Sequence, residues 1–394
     1  MTPTATVESP YTRTVGDHAP PVAGPENPLA RLSAEQIEQI GREFDALHEE
    51  IFANLGERDA NYIRSVIRAH RQLVIAARAM LMRSDRKALW VLGTAALSLA
   101  KILENMEIGH NVMHGQWDWM NDPDINSRTW DWDTASPADA WRHSHNYEHH
   151  TFTNIRGKDR DLGYDIMRVD PQQKWNPVYL FQPLYNLLLM GFFEWGVALH
   201  DLNPDAIHSG EKSRRQLLDE LKAIGVKARR QIVKDYIAFP ALSGRKRFKR
   251  TLAANFTANI VRNVWAHSII FCGHFPDQTY TFGEDEVADE TRGGWYVRQL
   301  LGAANIDGGP LFHLLSGNLS FQVEHHLFPD LPSSRYAEAA PRVKEICERH
   351  ELPYNTGPFH RQLGTVHRTI LRLALPGGRP RPKPGPYRAA AQST

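Results

Sequence analysis

The apolar positions of this chain gather in a few helix-length stretches separated by polar ones. Ser33-Ala34-Glu35-Gln36 reads as an N-cap followed by an acidic first turn, and predicts a helix running to about residue 55. Over residues 62–82 the apolar residues alternate with Arg64, Arg68, Arg71 and Arg78, whose offsets of 4, 7 and 14 place them on one stripe. Such a helix can lie in a membrane interface with its arginines toward anionic headgroups. It can also be a soluble amphipathic helix, or become a span by packing on a neighbour. Residues 88–103 are the first strong apolar run, and the helix can continue through Glu107 to His114. Residues 178–199 are the best candidate for a span, although Gln182, Asn186 and Glu194 interrupt them, and residues 251–275 are the last apolar segment.

Between these runs the pattern is polar. A loop over 115–137 carries Trp117, Trp119, Trp130 and Trp132, which can anchor at an interface, line a substrate entrance or simply pack the loop. Ser136-Pro137 then supplies an N-cap and first-turn pair for a helix over 138–152. Residues 205–250 hold more Lys and Arg than Asp and Glu. The positive-inside rule would keep them cytoplasmic, so either 178–199 is not a simple crossing or the basic segment is translocated. A helix is predicted from Gly293-Gly294 toward 315, with a break at Gly308-Gly309-Pro310 and a second short helix after it, and another helix over 338–352. Residues 1–32 and 376–394 read as flexible tails around one domain over 33–375.

Composition narrows the function. The 394 residues carry a net charge of +1, which with no zinc-finger or phosphate-loop motif argues against nucleic acid. The two cysteines, Cys272 and Cys347, make neither a disulfide framework nor a Cys-x-x-Cys pair, which fits a reducing, cytoplasm-facing site. No secretory signal pattern opens the chain. The mean hydropathy of −0.46 is low for a multi-span membrane protein.

The histidines carry the chemistry. His110 and His114 form one cluster, His145, His149 and His150 a second, and His325 and His326 a third behind Gln322. Side chains four apart on a helix lie roughly 5–6 Å apart on one face, so each H-x3-H pair can offer two imidazoles to one ion. Many imidazoles with few carboxylates suit iron, copper or zinc. Seven histidines exceed the tetrahedral shell of one zinc, which points to two metal ions. Glu107, three before His110, can orient a ligand, serve as an occasional one, or cap the helix. On 251–275, Asn263, His267 and His274 share a face. His313 precedes the third cluster as a supporting or packing residue, and His200 and His208 read as loop histidines.

The three boxes and their flanks (Met106-Glu107-Ile108-Gly109, Thr151-Phe152-Thr153-Asn154-Ile155, Gly157-Lys158-Asp159-Arg160-Asp161 and Leu327-Phe328-Pro329) resemble those of the membrane fatty-acid desaturases, nearest the bacterial acyl-CoA branch. The resemblance runs from about residue 61 to 352. It implies an all-α fold, an integral-membrane helical bundle crossing several times, with a cytoplasmic helical cap holding a histidine-rich di-iron site. It implies O2-dependent desaturation of a long acyl chain, on acyl-CoA or an acyl lipid, with two iron ions, membrane lipids around it and an external electron donor such as a ferredoxin, cytochrome or flavin reductase. A cytochrome b5 haem motif is absent, since Leu375-Pro376-Gly377-Gly378 lacks the axial histidine. A hydroxylase of the same superfamily is the alternative. By this likeness the catalytic groups are the metal ligands themselves: His110, His114, His145, His149, His150, His325, His326, and one of two further histidines. Stearoyl-type enzymes use an Asn-x3-His pair, which Asn263 and His267 fit, while front-end enzymes place the histidine nearer the helix end, which favours His274; a third reading makes neither a ligand. Glu107, Gln322, Asn154 and His313 are the expected supporting residues, with Gln322 standing where stearoyl-type enzymes have a histidine.

Overall fold

The structure, a computed structural model, describes residues 27–203, 205–208, 210, 212–377 and 383–388. The expected flexible tails fall mostly outside them, as does the side chain of His208. Residues 27–32 lie within the expected N-terminal tail, yet Pro28–Arg31 forms a helical turn capped by Asn27, with Leu29 and Leu32 packed on the core.

The Ala34–Ala53 helix starts at a Ser33–Gln36 capping box, and its Ile40, Phe44, Leu47 and Ile51 bury one face against the Arg292–Gly302 helix. Gly41 and Gly293 let these two helices touch backbone to backbone. The same core takes in the Gln322–Leu327 and Tyr336–Arg349 helices. On the other side, the Glu57–Leu81 helix pairs with Lys87–Leu103, which packs in turn on the 27-residue Phe248–His274 helix. The fold is mostly helical but not wholly so. Asn305–Asp307 and Thr356–Pro358 pair as two parallel strands with Asn305 opposite Thr356. They tie the loop before the third histidine box to the C-terminal Phe359–Leu373 helix.

The expected integral-membrane bundle is corrected: among the described residues no helix is long and apolar enough to cross a membrane. The 178–199 run breaks at Phe192 into helices Gln182–Gly191 and Phe193–His200, of 10 and 8 residues, where a span needs roughly 20. Leu189 folds so closely over Gly196 that a Cβ there would lie 2.2 Å from its Cδ1. Lys87–Leu103 has 17 residues before it changes character, and Phe248–His274 is interrupted by buried Asn255, Asn259, Arg262, Asn263 and His267. The arginine stripe is divided as well. Arg64 donates to Asp122, while Arg78 is buried against Asp235 and Asn255, which Lys101 joins from the next helix. Arg78 therefore answers internal carboxylate charge rather than headgroups.

Candidate metal centre

The first two histidine boxes sit on helices that widen where the imidazoles leave them. Lys87–Leu103 runs into a π-helical turn, Glu104–His110, and then Asn111–Met113. The expected 138–152 helix forms as Ala138–Trp141, a π-helical stretch Arg142–His149, and His150–Phe152. Such turns insert a residue without ending the helix and recur at functional sites. Gly109 allows the first of them: a Cβ there would lie 2.8 Å from the Glu104 carbonyl oxygen.

The boxes converge on two adjacent clusters. His110, His114, His145 and His325 bring one ring nitrogen each to within 4.8 Å of one another, and so do His149, His274 and His326. Box one therefore works as a pair on one cluster, but box two divides, His145 serving the first and His149 the second. Their rings stack 5.1 Å apart. His150 stands between the clusters, its ring 4.8 Å from those of His114 and His325 and 4.5 Å from that of His326.

Four of the clustered rings are held by one nitrogen. His149 Nδ1 lies 3.0 Å from Asp159 and His145 Nδ1 3.3 Å from Asp161. His325 Nδ1 lies 3.2 Å from the Tyr336 hydroxyl, and His110 Nδ1 3.0 Å from Asn111 Oδ1. With Nδ1 so engaged, the Nε2 atoms of His145, His149 and His325 are buried without a hydrogen-bond partner among the described residues, as are His114 Nε2 and both nitrogens of His150. Orphaned buried polar atoms cost about 1–3 kcal/mol each, so a cage of unpaired imidazole nitrogens facing one another is the arrangement a bound cation would repay.

The electrostatics agree. Burial pushes His110 down to about 3, and His114, His150, His274, His325 and His326 well below the ordinary imidazole value, which keeps them neutral with a lone pair available. His145 is lowered by burial too. For His149 burial also pulls downward, but the Asp159 carboxylate outweighs it and the net shift is upward. The donor set is that of a first-row transition ion, not of magnesium or calcium.

Of the alternatives on the 248–274 helix, the structure brings in His274 and not His267. His274 Nε2 lies 3.3 Å from His326 Nε2 and 3.0 Å from Gln322 Nε2. His267 faces the other way, stacked on Phe271 and 3.0 Å from Asn186 Oδ1. Asn263 borders the cavity beside the first cluster, but its carboxamide is spent on the Arg262 guanidinium and the Gly191 carbonyl. A seven-residue offset moves a side chain two turns along a helix, so only one of these histidines can reach the box-three rings.

The expected supporting residues divide. Gln322 touches His274. Glu107 touches no histidine; it accepts from Tyr62, Ser333 and Asn318, and burial raises it to about 7. Asn154 is a left-handed residue whose amide N–H donates to Asp159 and whose carboxamide donates to the carbonyls of Tyr280 and Gly302. His313 bonds Ser320 and stacks on Phe321. Sequence reasoning missed Asp159, Asp161, Gln299 and Tyr336. The two aspartates stood within a quoted flank, but nothing in their spacing tied them to His149 and His145. His200, read as a loop histidine, ends its helix against Asp161, 3.0 Å away.

Beside His110 and His145 lies a small cavity of about 50 Å³ walled by Trp132, Trp141, Tyr164, Phe193 and Ile270. Of the loop tryptophans, Trp117 and Trp132 are buried, so packing accounts for both, and Trp132 also faces this cavity.

The family described as fatty acid desaturase matches residues 88–358, which hold every histidine of both clusters. A protein of Mycobacterium tuberculosis named NADPH-dependent stearoyl-CoA 9-desaturase is 47% identical over 351 residues, 88% of this chain and 82% of that protein. An sn-1 linoleoyl-lipid 6-desaturase of Synechocystis is 26% identical over 68% of this chain and 76% of its own length. The Delta(5) fatty acid desaturase A of Dictyostelium discoideum is 27% identical over 66% of this chain and 58% of its own length.

Proposed function

This chain belongs to the fatty acid desaturase family, and from that premise we propose that it desaturates a stearoyl-type acyl-CoA at a centre of two iron ions, with electrons reaching it from NADPH through a separate carrier. It is an oxidoreductase acting on fatty acyl chains. The observation that carries the finer reading is the convergence of seven imidazoles, five of them buried, into two adjacent groups inside the matched segment, with His150 between them.

In this reading His110, His114, His145 and His325 hold one ion and His149, His274 and His326 the other, with His150 reaching from between them. Iron bound there supplies the activation of O2 that lets hydrogen be removed from an unactivated methylene. The chain's own part is positional. Asp159, Asp161, Tyr336 and Gln299 fix ring orientation, and the aromatic wall beside His110 and His145 keeps water from the acyl chain. No side chain acts as a nucleophile.

Members of the family are generally membrane-associated. Exposed apolar side chains, Val91 and Leu92 on one helix and Leu184, Leu187 and Leu188 on another, support association with a lipid surface.

The test is expression in a desaturase-deficient host together with a reductase, followed by gas chromatography–mass spectrometry of the fatty acids with the double bond located by derivatisation. A new monoene, absent with His149→Ala, is expected. A hydroxylated chain would move the protein to the hydroxylase reading. Turnover by purified iron-loaded protein with NADPH and O2 alone would remove the separate carrier.

A further inference from the structure

We propose that Asp201 and Ser144 form the entry through which protons pass from solvent to the histidine centre, a role that rests on the desaturase reading. Two hollows meet at these residues. One is the aromatic cavity beside His110 and His145, and the other an open groove of about 590 Å³ outside the box-two helix. Asp201 and Ser144 border both, and they are the two residues the hollows share.

The reaction needs such a route. Converting R–CH2–CH2–R′ and O2 to R–CH=CH–R′ and two waters takes two hydrogens from the substrate, two electrons from the external carrier, and two protons from solvent. The cavity wall combines Trp132, Trp141, Tyr164 and Phe193 with polar side chains, of which Asn105, Thr134 and Asn263 do not ionise. Of its other ionisable groups, Glu194 is committed to Arg262 and Gln231, and Asp161 to His145 and His200. Asp201 is bound differently. It is half-buried, and among the described residues its two oxygens accept from hydroxyls alone: Ser144 Oγ at 2.6 Å and Ser136 Oγ at 2.8 Å. A hydroxyl both donates and accepts and can rotate, so it can take a proton from one side and release it on the other. Both serines border the inner cavity, and Ser144 immediately precedes His145.

The surroundings favour a carboxyl that changes protonation. On its own helix end Asp201 follows His200, and the loop after box two adds Arg160, Asp161 and Tyr164. Across the groove stand Asp139, His143 and Glu148 of the box-two helix, with Lys212, Asp219 and Glu220 beyond. Burial, with the Asp161 charge behind it, raises Asp201 to about 6, against the pull of the two serines and His200. A group poised there can collect a proton from water near neutrality and still give it up.

The variants are Asp201→Asn, Asp201→Glu and Ser144→Ala, each assayed for desaturation with stearoyl-CoA over pH 5.5–8.5. Infrared difference spectra of the metal-free chain, titrated over the same range, give a readout that needs no turnover. In wild type one component of the carboxylic C=O absorption is expected to disappear as pH rises through about 6 and to be missing from Asp201→Asn alone, whereas the Glu107 component near 7 stays in all variants. Asp201→Asn and Ser144→Ala should each lower kcat about tenfold or more with KM unchanged. The wild-type fall in kcat above pH 6 should be lost in Asp201→Asn and restored by Asp201→Glu. Wild-type turnover with a Ser144→Ala or Asp201→Asn profile superimposable on it would overturn the role, as would a component titrating near pH 6 that Asp201→Asn leaves untouched. Should Asp201→Asn not fold, Ser144→Ala decides. A wild-type chain that makes no unsaturated product would remove the desaturase reading itself, and this role with it.

Discussion

Gln299 holds His326 and the box-two backbone at once: its Oε1 lies 2.9 Å from His326 Nδ1, and its Nε2 donates to the His150 carbonyl at 2.8 Å. One buried carboxamide thus sets the tautomer of a box-three ring and the height of box two against it. Gln299→Leu keeps the volume and removes both bonds. Metal affinity is expected to fall about 10–100-fold, measured by competition with a chelator of known affinity. Unchanged affinity would mean that the rings are positioned by packing alone.

Asp159 plays the corresponding part for His149, and it also accepts the Asn154 and Asp161 amide N–H groups. Asp159→Asn leaves an acceptor but removes the charge that opposes the cost of burying His149. Weaker metal binding by a similar factor of about 10–100 is expected, with the melting temperature lowered less than by Asp159→Ala. Equal effects of the two variants would show that shape, not charge, is what His149 needs.

How much of this could be read from the chain follows from what periodicity records. The 138–152 helix and the three boxes were legible because i, i+4 spacings are local, although the expected cap is shifted: Pro137 stands at the N-cap and Ser136 donates to Asp201 instead. The π-helical turns were not, since an inserted residue leaves the apolar pattern almost intact, and it was at the box-two turn that His145 and His149 parted to separate clusters. Choosing between His267 and His274 needed the place of box three along the Phe248–His274 helix, which is a tertiary fact. The break at Phe192 was hidden for a similar reason. A run of Leu and Phe reads as one span, and only the closure of Leu189 on Gly196 shows that it is two short helices.

Glu107 supplies a pH test away from the rings. Its folded pKa, raised to about 7 by burial, exceeds the unfolded value of 4.5, so the folded chain holds a proton that the unfolded chain has lost between those limits. The stability this proton confers is fully present below pH 4.5 and lost as pH rises to about 7, a change of at most about 3 kcal/mol. Glu107→Gln, which cannot ionise, should flatten that part of the slope in denaturant unfolding of the metal-free chain. Parallel slopes for variant and wild type would mean that the Tyr62, Ser333 and Asn318 donors keep Glu107 ionised throughout.

Gly293 has no room for a side chain. A Cβ there would lie 2.0 Å from the Ile37 carbonyl oxygen, a rigid backbone atom, whereas at Gly294 the nearest atom is the flexible Glu290 side chain at 3.2 Å. Gly293→Ala should therefore force the Ala34–Ala53 and Arg292–Gly302 helices apart at a cost of about 1–3 kcal/mol or more. Gly294→Ala should be far milder. Because Gln299 rides on the second helix, Gly293→Ala should also weaken metal binding, and a destabilised variant with unchanged affinity would show that the helix pair and the centre move independently.

The buried ion pair of Arg262 and Glu194 joins the long helix to the second half of the broken one, beside the packing of Phe193 on His267 and Phe271, with Gln231 donating to the same carboxylate. Both side chains are almost wholly buried, so removing either partner strands a charge where water cannot reach it. Arg262→Met is expected to destabilise by about 3–5 kcal/mol. It also frees Asn263, whose Oδ1 accepts from the same guanidinium, to turn toward the cavity. Pairing it with Glu194→Gln should recover much of the loss, because the double variant buries no unpaired charge. The cycle read from melting curves distinguishes this from simple packing: additive costs would mean that the two residues act separately, and a double variant more stable than Arg262→Met alone would mean that the stranded carboxylate was the larger cost.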